Sequence, residues 1–273
     1  MTREFDMSKK LRVAAENLSS GIHWLSPRAT HYVCRVHRRP LGDELTLFDA
    51  ERGVEARAVL LSLEGARAKV EVGPVRAASH LGMPWLTLVQ GLGKGEKMDR
   101  IVREAATLGV ARLVFVEGKH SVAKAQRAAS KRERFTRIVT EALRQCGRGD
   151  AMTLVGPTTA SELLDALDAP VRWVLQPSSE ALPLLDALER LRADSAQPAS
   201  EAAPHLQLWV GPEGGFSDLE LERLQQRSAT LVRLGPLVQR METAAMAVVS
   251  AIGAWADARG CWRTGPFPNS LLG

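Results

Sequence analysis

Apolar and polar positions alternate with a period of two in the early part of the chain, at residues 44–48, 55–61 and 66–72. That is the pattern of short strands with one face buried. Residues 49–53 supply turn formers between the first two. Together they predict a small β-rich barrel. Gly73-Pro74 and Gly82-Met83-Pro84 bracket a short polar segment and mark a boundary. Residues 1–78 are therefore expected to form a first domain, 79–260 a second, and 261–273 a tail.

Beyond the boundary the rhythm changes. Residues 85–90, 112–116, 172–175, 206–210 and 231–234 are short apolar runs that read as strands. Helical spacing occurs at 98–108 (Met98, Ile101, Val102, Ala105, Leu108), in a basic helix at 131–146, at 179–192 and at 241–255. Residues 193–204, rich in Ala, Ser and Pro, read as a linker, and Ser217-x-x-Glu220 is a capping-box signature. Strands alternating with helices predict an α/β domain with a mostly parallel sheet.

Two segments share one grammar. Val210-Gly211-Pro212-Glu213-Gly214-Gly215-Phe216-Ser217 and Leu234-Gly235-Pro236-Leu237-Val238-Gln239-Arg240-Met241-Glu242-Thr243 each close an apolar run with a Gly-Pro break and open an amphipathic stretch. Each reads as a buried strand, a loop and a helix start. Ligands of open α/β sheets bind beyond the carboxyl ends of the strands. Glycine there lets backbone come close to a ligand. The two loops are expected to form two walls of one pocket.

These residues resemble the ribosomal RNA small-subunit methyltransferase E family. Gln90-Gly91-Leu92-Gly93-Lys94-Gly95-Glu96-Lys97-Met98-Asp99 is similar to its "KGEKMD" segment, Leu108-Gly109-Val110 to the end of "ELGV", and Glu141 through Arg148 to "EAxxQxxR". The resemblance runs over residues 25–257. Thr107 and Arg103 stand where the family usually has Glu and Lys. Leu237 and Gln239 replace its commoner Arg and Leu, Met241 follows Arg240, and His37 replaces a Leu.

The resemblance implies a SPOUT-type α/β fold with a C-terminal trefoil knot, preceded by a PUA-like β-barrel that helps hold RNA. It further implies a homodimer and methylation of N3 of a uridine in 16S rRNA of the small ribosomal subunit. The cofactor would be S-adenosyl-L-methionine, held by Leu175, Val210, Gly211, Pro212, Glu213, Gly214, Gly215, Leu234, Gly235, Val238, Gln239, Arg240 and Thr243. Uracil N3 carries a proton between two carbonyls, so attack leaves negative charge that Arg240 is placed to stabilise. Guanidinium does not deprotonate, so Arg240 is not the base. Glu213 and Glu242 are candidate acceptors for that proton, or else holders of loop amides. Two alternatives are a related enzyme acting on another RNA position and an inactive RNA-binding assembly factor.

Charge sharpens the RNA reading. The net charge is +5, but residues 119–148 hold nine Lys or Arg against two acids, while residues 161–203 hold eight acids against three bases. Clustered Lys and Arg are the footprint of phosphate contact. Arg28, Arg35 and Arg38 (with Arg39, around His31 and Tyr32), Lys94, Lys97, Arg132, Arg134 and Arg148 are the candidate RNA contacts. Other chemistries find little support. Gly91-x-Gly93-x-Gly95 lacks the dinucleotide and P-loop spacings. Gly-x-Ser-x-Gly is missing. The six histidines show no metal-ligand spacing, so no metal is expected. Cys34, Cys146 and Cys261 are far apart and fit a reducing cytoplasm. No apolar leader or membrane-spanning window is found.

Overall fold

The computed structural model describes residues 10–78, 85–121, 131–166, 171–195 and 205–259. The backbone divides into two units, one made of Met1–Ser79 with Leu143–Ala151 and the other of His80–Ala142 with Met152–Gly273. Residues 196–204 of the expected linker, the tail 261–273, Lys124 and Arg127 of the basic run, and Cys261 lie outside the described residues.

The first unit is built on a six-stranded sheet. Its strands are β1 (Leu11–Ala14), β2 (Gly21–Trp24), β3 (Glu44–Asp49), β4 (Val54–Glu64), β5 (Arg67–Val72) and β6 (Arg76–Ala77). The order is β1-β3-β4-β5-β2 with β6 on β4, and every pairing is antiparallel except β1 with β3. The alternation seen in the sequence is the burial pattern: Leu45 and Leu47, Ala56, Ala58 and Leu60, and Ala68, Val70 and Val72 enter one core. Between β2 and β3, helix α1 (Pro27–Thr30) runs on into a π-helical stretch, His31–Val36. Ser26 caps it by accepting from the Ala29 amide, and Pro27 sits in the first turn, where a missing N–H costs nothing.

Residues 143–151 complete this unit. The Arg148 guanidinium is 2% exposed and donates to both carboxylate oxygens of Asp150, at 2.9 and 2.7 Å. The Arg148 carbonyl accepts from Arg12. The expectation that Arg148 contacts RNA is therefore corrected: its charge is spent inside the fold, where phosphate does not reach.

The second unit is a seven-stranded, wholly parallel sheet in the order β11-β13-β10-β12-β7-β8-β9. The strands are β7 (Trp85–Gly91), β8 (Arg112–Glu117), β9 (Thr153–Thr159), β10 (Val171–Leu175), β11 (Leu182–Pro183), β12 (His205–Val210) and β13 (Thr230–Arg233). Helices α2 (Glu96–Thr107), α3 (Arg132–Cys146), α4 (Ala160–Ala166), α5 (Leu184–Ser195), α6 (Asp218–Gln226) and α7 (Met241–Ala258) connect or follow them. The central β12 is buried along its whole length, as expected of a strand covered on both faces. Among the described residues no helix is long and apolar enough to cross a membrane.

The helix expected at 179–192 begins later, at Leu184. Pro183 disfavours helical geometry in the residue before it, and Leu182 and Pro183 instead pair with β13 as a short strand. The helix also runs on to Ser195, taking the first residues of the expected linker. The capping box at Ser217 and Glu220 forms as expected.

At the start of β12, His205 is buried with a ring nitrogen 2.7 Å from the Thr87 hydroxyl. Burial, reinforced by the Arg112 and Arg172 charges, lowers its pKa to about 4. A histidine kept neutral in the fold contributes stability that is complete above its ordinary value of 6.5 and is lost as pH falls toward 4. Between those limits the unfolded state binds the extra proton. Over that window the loss is about 3 kcal/mol. His205→Gln is expected to flatten this part of the stability profile in urea titrations run at several pH values. An unchanged pH slope would contradict the assignment.

Candidate active site

Strands β13, β10 and β12 lie side by side, and their carboxyl ends open onto a cavity of about 470 Å³. Leu175 and Val210 end two of these strands and line it. The loop after β12 and the loop between β13 and α7 form facing walls. Every residue expected to hold a cofactor lines this cavity except Thr243, which is exposed on α7. The expected cofactor set missed Gln176 and Pro177 just past β10, Phe216 and Leu237 in the two loops, and Met241 and Ala244 on the first turn of α7, while Lys97, expected at RNA, also lines the cavity. Gln176 and Pro177 directly follow β10, where the rule that ligands bind beyond strand carboxyl ends would have found them.

The loop after β12 is held from several sides. Gly215 N–H closes a turn onto the Pro212 carbonyl at 2.9 Å. Phe216 packs on Trp209 with ring centroids 6.2 Å apart. Glu220 accepts from the Ser217 amide and hydroxyl and from the Lys119 amide. Burial opposes ionisation of Glu220, but these hydrogen bonds outweigh it and lower its pKa.

The glycines play different parts. Gly215 has φ +72°, a conformation side chains disfavour. A Cβ on Gly214 would sit 2.7 Å from that of His120, so its small size is explained by packing. A Cβ on Gly235 would meet no atom within 4 Å, although Gly235 lines the cavity. The cavity therefore offers a glycine-lined approach of the kind a small organic cofactor needs, with an apolar floor from Leu175, Val210 and Leu234 and polar groups from Gln176, Gln239 and the loop backbone.

Charged groups gather at one side. Lys97 pairs with Glu213, and its Nζ lies 3.8 Å from Glu242 Oε2. The hydrogen bond to Glu213 raises the Lys97 pKa, helped by the nearby Glu242 and Glu213 charges against desolvation and Arg240. Arg240 occupies the N-cap position of α7 in extended geometry and is exposed. Glu242, in the first turn, is 8% exposed, and its Oε2 has no hydrogen-bond partner.

The expected RNA contacts separate into groups. Arg28, Arg35 and Arg38 are exposed on the first unit, while neighbouring Arg39 is bonded to Asp43. Tyr32 lies under Arg144 at 4.7 Å and edge-on to His37. On the second unit Lys94 and Arg132 are exposed, Arg134 is exposed but bonded to Asp99, and Lys97 lines the cavity.

Comparison with known proteins places this geometry. The RNA methyltransferase domain family matches residues 82–253. Among curated relatives, the ribosomal RNA small subunit methyltransferase E of Mycobacterium bovis is 31% identical over 236 residues, covering 81% of this chain and 82% of that protein. The Bacillus subtilis protein of the same name is 27% identical, covering 81% and 86%. A crystal structure of the Neisseria gonorrhoeae ribosomal RNA small subunit methyltransferase E bound to S-adenosyl methionine superposes with a TM-score of 0.73 at 25% identity. It covers 90% of this chain and 98% of that one.

Proposed function

Since the chain belongs to the ribosomal RNA small subunit methyltransferase E family, we propose that it methylates N3 of a uridine in 16S rRNA with S-adenosyl-L-methionine as donor. The observation that carries this reading is the cavity beyond β10, β12 and β13, walled by both glycine-proline loops and bordered by Arg240 and Lys97. S-adenosyl-L-methionine supplies an activated methyl group on a sulfonium centre. Leu175, Val210, Gly235, Val238 and Gln239 would hold it, with the 211–215 loop as the second wall.

The remaining chemistry belongs to the protein. Loss of the N3 proton leaves negative charge shared with the uracil carbonyl oxygens, and Arg240 stabilises it. Glu242 accepts the proton. Its Oε2 has no hydrogen-bond partner, whereas Glu213 is already bonded to Lys97, which supports Glu242 over Glu213. Lys97 keeps both carboxylates in place. Arg28, Arg35, Arg38, Lys94 and Arg132 contact RNA phosphates.

The PUA-like character of the first unit, the trefoil knot and a cytoplasmic location come with the same reading. A homodimer across α7 belongs to it too. Leu237 and Val238, 76% and 80% exposed at the cavity rim, are large apolar groups that a second subunit would cover. A sedimentation-equilibrium mass near 29.7 kDa at micromolar concentration would contradict the dimer.

The test of function is methyl transfer from labelled S-adenosylmethionine to undermodified small ribosomal subunits, followed by mapping of the modified nucleotide. The expected product is N3-methyluridine at one position. Label at a ribose oxygen, or in other RNA, would replace this reading with that of a related enzyme. Cofactor binding without transfer to any RNA would point to an assembly factor.

A further inference from the structure

Trp24 is 40% exposed and Ile22 53%, on a strand of only four residues at the rim of the first unit's sheet. Tryptophan ordinarily hides most of its surface in a folded chain. Alternation along β2 puts Ile22 and Trp24 on one face, and residues paired directly across a ladder share that face. Ile22 stands opposite Glu71 and Trp24 opposite Lys69. Ala68, Val70 and Val72 of β5 enter the core, so the face with Trp24, Lys69 and Arg67 is the outer one. The Arg67 guanidinium carbon lies 5.8 Å from the indole centroid, and Lys69 Nζ lies 5.7 Å from it. Both distances are near the outer limit for a cation over a ring, a loose approach that flexible side chains can give up.

Carboxylates share this face. Glu71 stands opposite Ile22, and Glu64, which accepts from the Ser62 hydroxyl, stands opposite Arg67. The face is therefore no trap for a bare anion. What sets it apart is an exposed indole with a guanidinium and an ammonium at its margin. The ligand that matches is a flat ring joined to a phosphate, as in an unpaired nucleotide. A protein strand fits less well. β2 lies between Gly21, at φ +108°, and the Ser26 cap of α1, so its outer edge offers little backbone for pairing.

We propose that Trp24 is a stacking platform for an unpaired base of the RNA, with Arg67 and Lys69 taking the adjoining phosphate and Ile22 widening the apolar surface. The proposal rests on the RNA methyltransferase reading. It gives the first unit a base contact in addition to the phosphate contacts of Arg28, Arg35 and Arg38. Every base has a flat face, so this surface contributes affinity and not sequence choice.

The probes are two fluorescent RNA hexamers, hexa-adenylate and an abasic hexamer with the same ribose-phosphate chain. Anisotropy titrations of the full chain are expected to show hexa-adenylate binding about tenfold tighter or more. Trp24→Ala should weaken hexa-adenylate about tenfold and leave the abasic hexamer within about twofold. Trp24→Leu, which keeps apolar bulk without an aromatic plane, serves if Trp24→Ala does not fold, and should lose the same preference. Trp24→Phe should retain most of it. Arg67→Ala with Lys69→Ala should weaken both oligomers and flatten the salt dependence. Hexa-adenylate affinity unchanged by loss of the indole, equal losses for both oligomers, or binding of neither up to millimolar concentration would each overturn the proposal. So would a change in sedimentation mass on Trp24→Ala in place of a change in affinity, which would assign the face to a protein contact. Methyl transfer to small subunits separates the two failures. If transfer proceeds while Trp24→Ala leaves hexa-adenylate binding unchanged, the enzyme assignment stands and the platform does not.

Discussion

Gly235→Val is expected to weaken S-adenosylmethionine binding by about a hundredfold or more while leaving the unfolding temperature of the free protein within about 2 °C. The reason is local. Gly235 lines the cavity, yet a Cβ built there meets no protein atom within 4 Å. Its φ is not in the left-handed region. It precedes Pro236, which favours an extended backbone that valine adopts readily. The added side chain therefore starts into open space on the cavity wall, where a ligand would lie. Gly215 is a poorer choice for this experiment. Its φ of +72° would strain any side chain, so Gly215→Val confounds folding with binding. Gly214 is poorer still, because a side chain there collides with His120. Unchanged affinity for Gly235→Val in titration calorimetry would move the cofactor elsewhere.

Arg240→Ala is expected to lower the methyl-transfer rate by about 10²–10³-fold at saturating RNA, with cofactor affinity changed less than threefold. Arg240 is an exposed residue at the start of α7, so its removal leaves no buried partner unpaired. The charge it offsets develops only as uracil loses its proton, so the loss should fall on kcat and not on KM. Arg240→Lys keeps the charge without the fork and should recover part of the rate. If raising RNA concentration rescues Arg240→Ala, Arg240 is a binding residue and the catalytic role falls to another group.

The cavity was legible because its walls are written in residues with few other uses. Gly-Pro after an apolar run ends a strand, and the run at 206–210 is short, apolar and fully buried. The alternating strands β3, β4 and β5 were legible for the same kind of reason: one face of each is core. Thr243 was misplaced by helical phase. Met241 and Ala244, three positions apart, face the cavity, and Thr243 points away. Arg148 was misplaced because charge density says nothing of burial, and Asp150, two residues on, absorbs its charge. β1 and β2 are four residues each, too short for alternation to register. β9 contains Gly156-Pro157, residues that argue against a strand, and it survives as one at the sheet edge where the register shifts. Leu182-Pro183 was hidden in the same way by its neighbouring helix.

Residues 143–151 bear on how the chain is made. The Ala151 amide donates to the Ala50 carbonyl, Arg12 reaches the Arg148 carbonyl, and Gly149 lies so close to Ala78 that a Cβ there would be 2.1 Å from the alanine's own. The amino-terminal unit is thus unfinished when its last strand leaves the ribosome. It waits for about seventy more residues, during which β7, α2 and β8 are synthesised. Assembly of the two units overlaps in time, unlike the one-after-another maturation usual for tandem domains. A fragment cut at residue 79 would lack the segment that docks on Arg12, Ala50 and Ala78, and the complementary fragment would carry that segment with nothing to dock against.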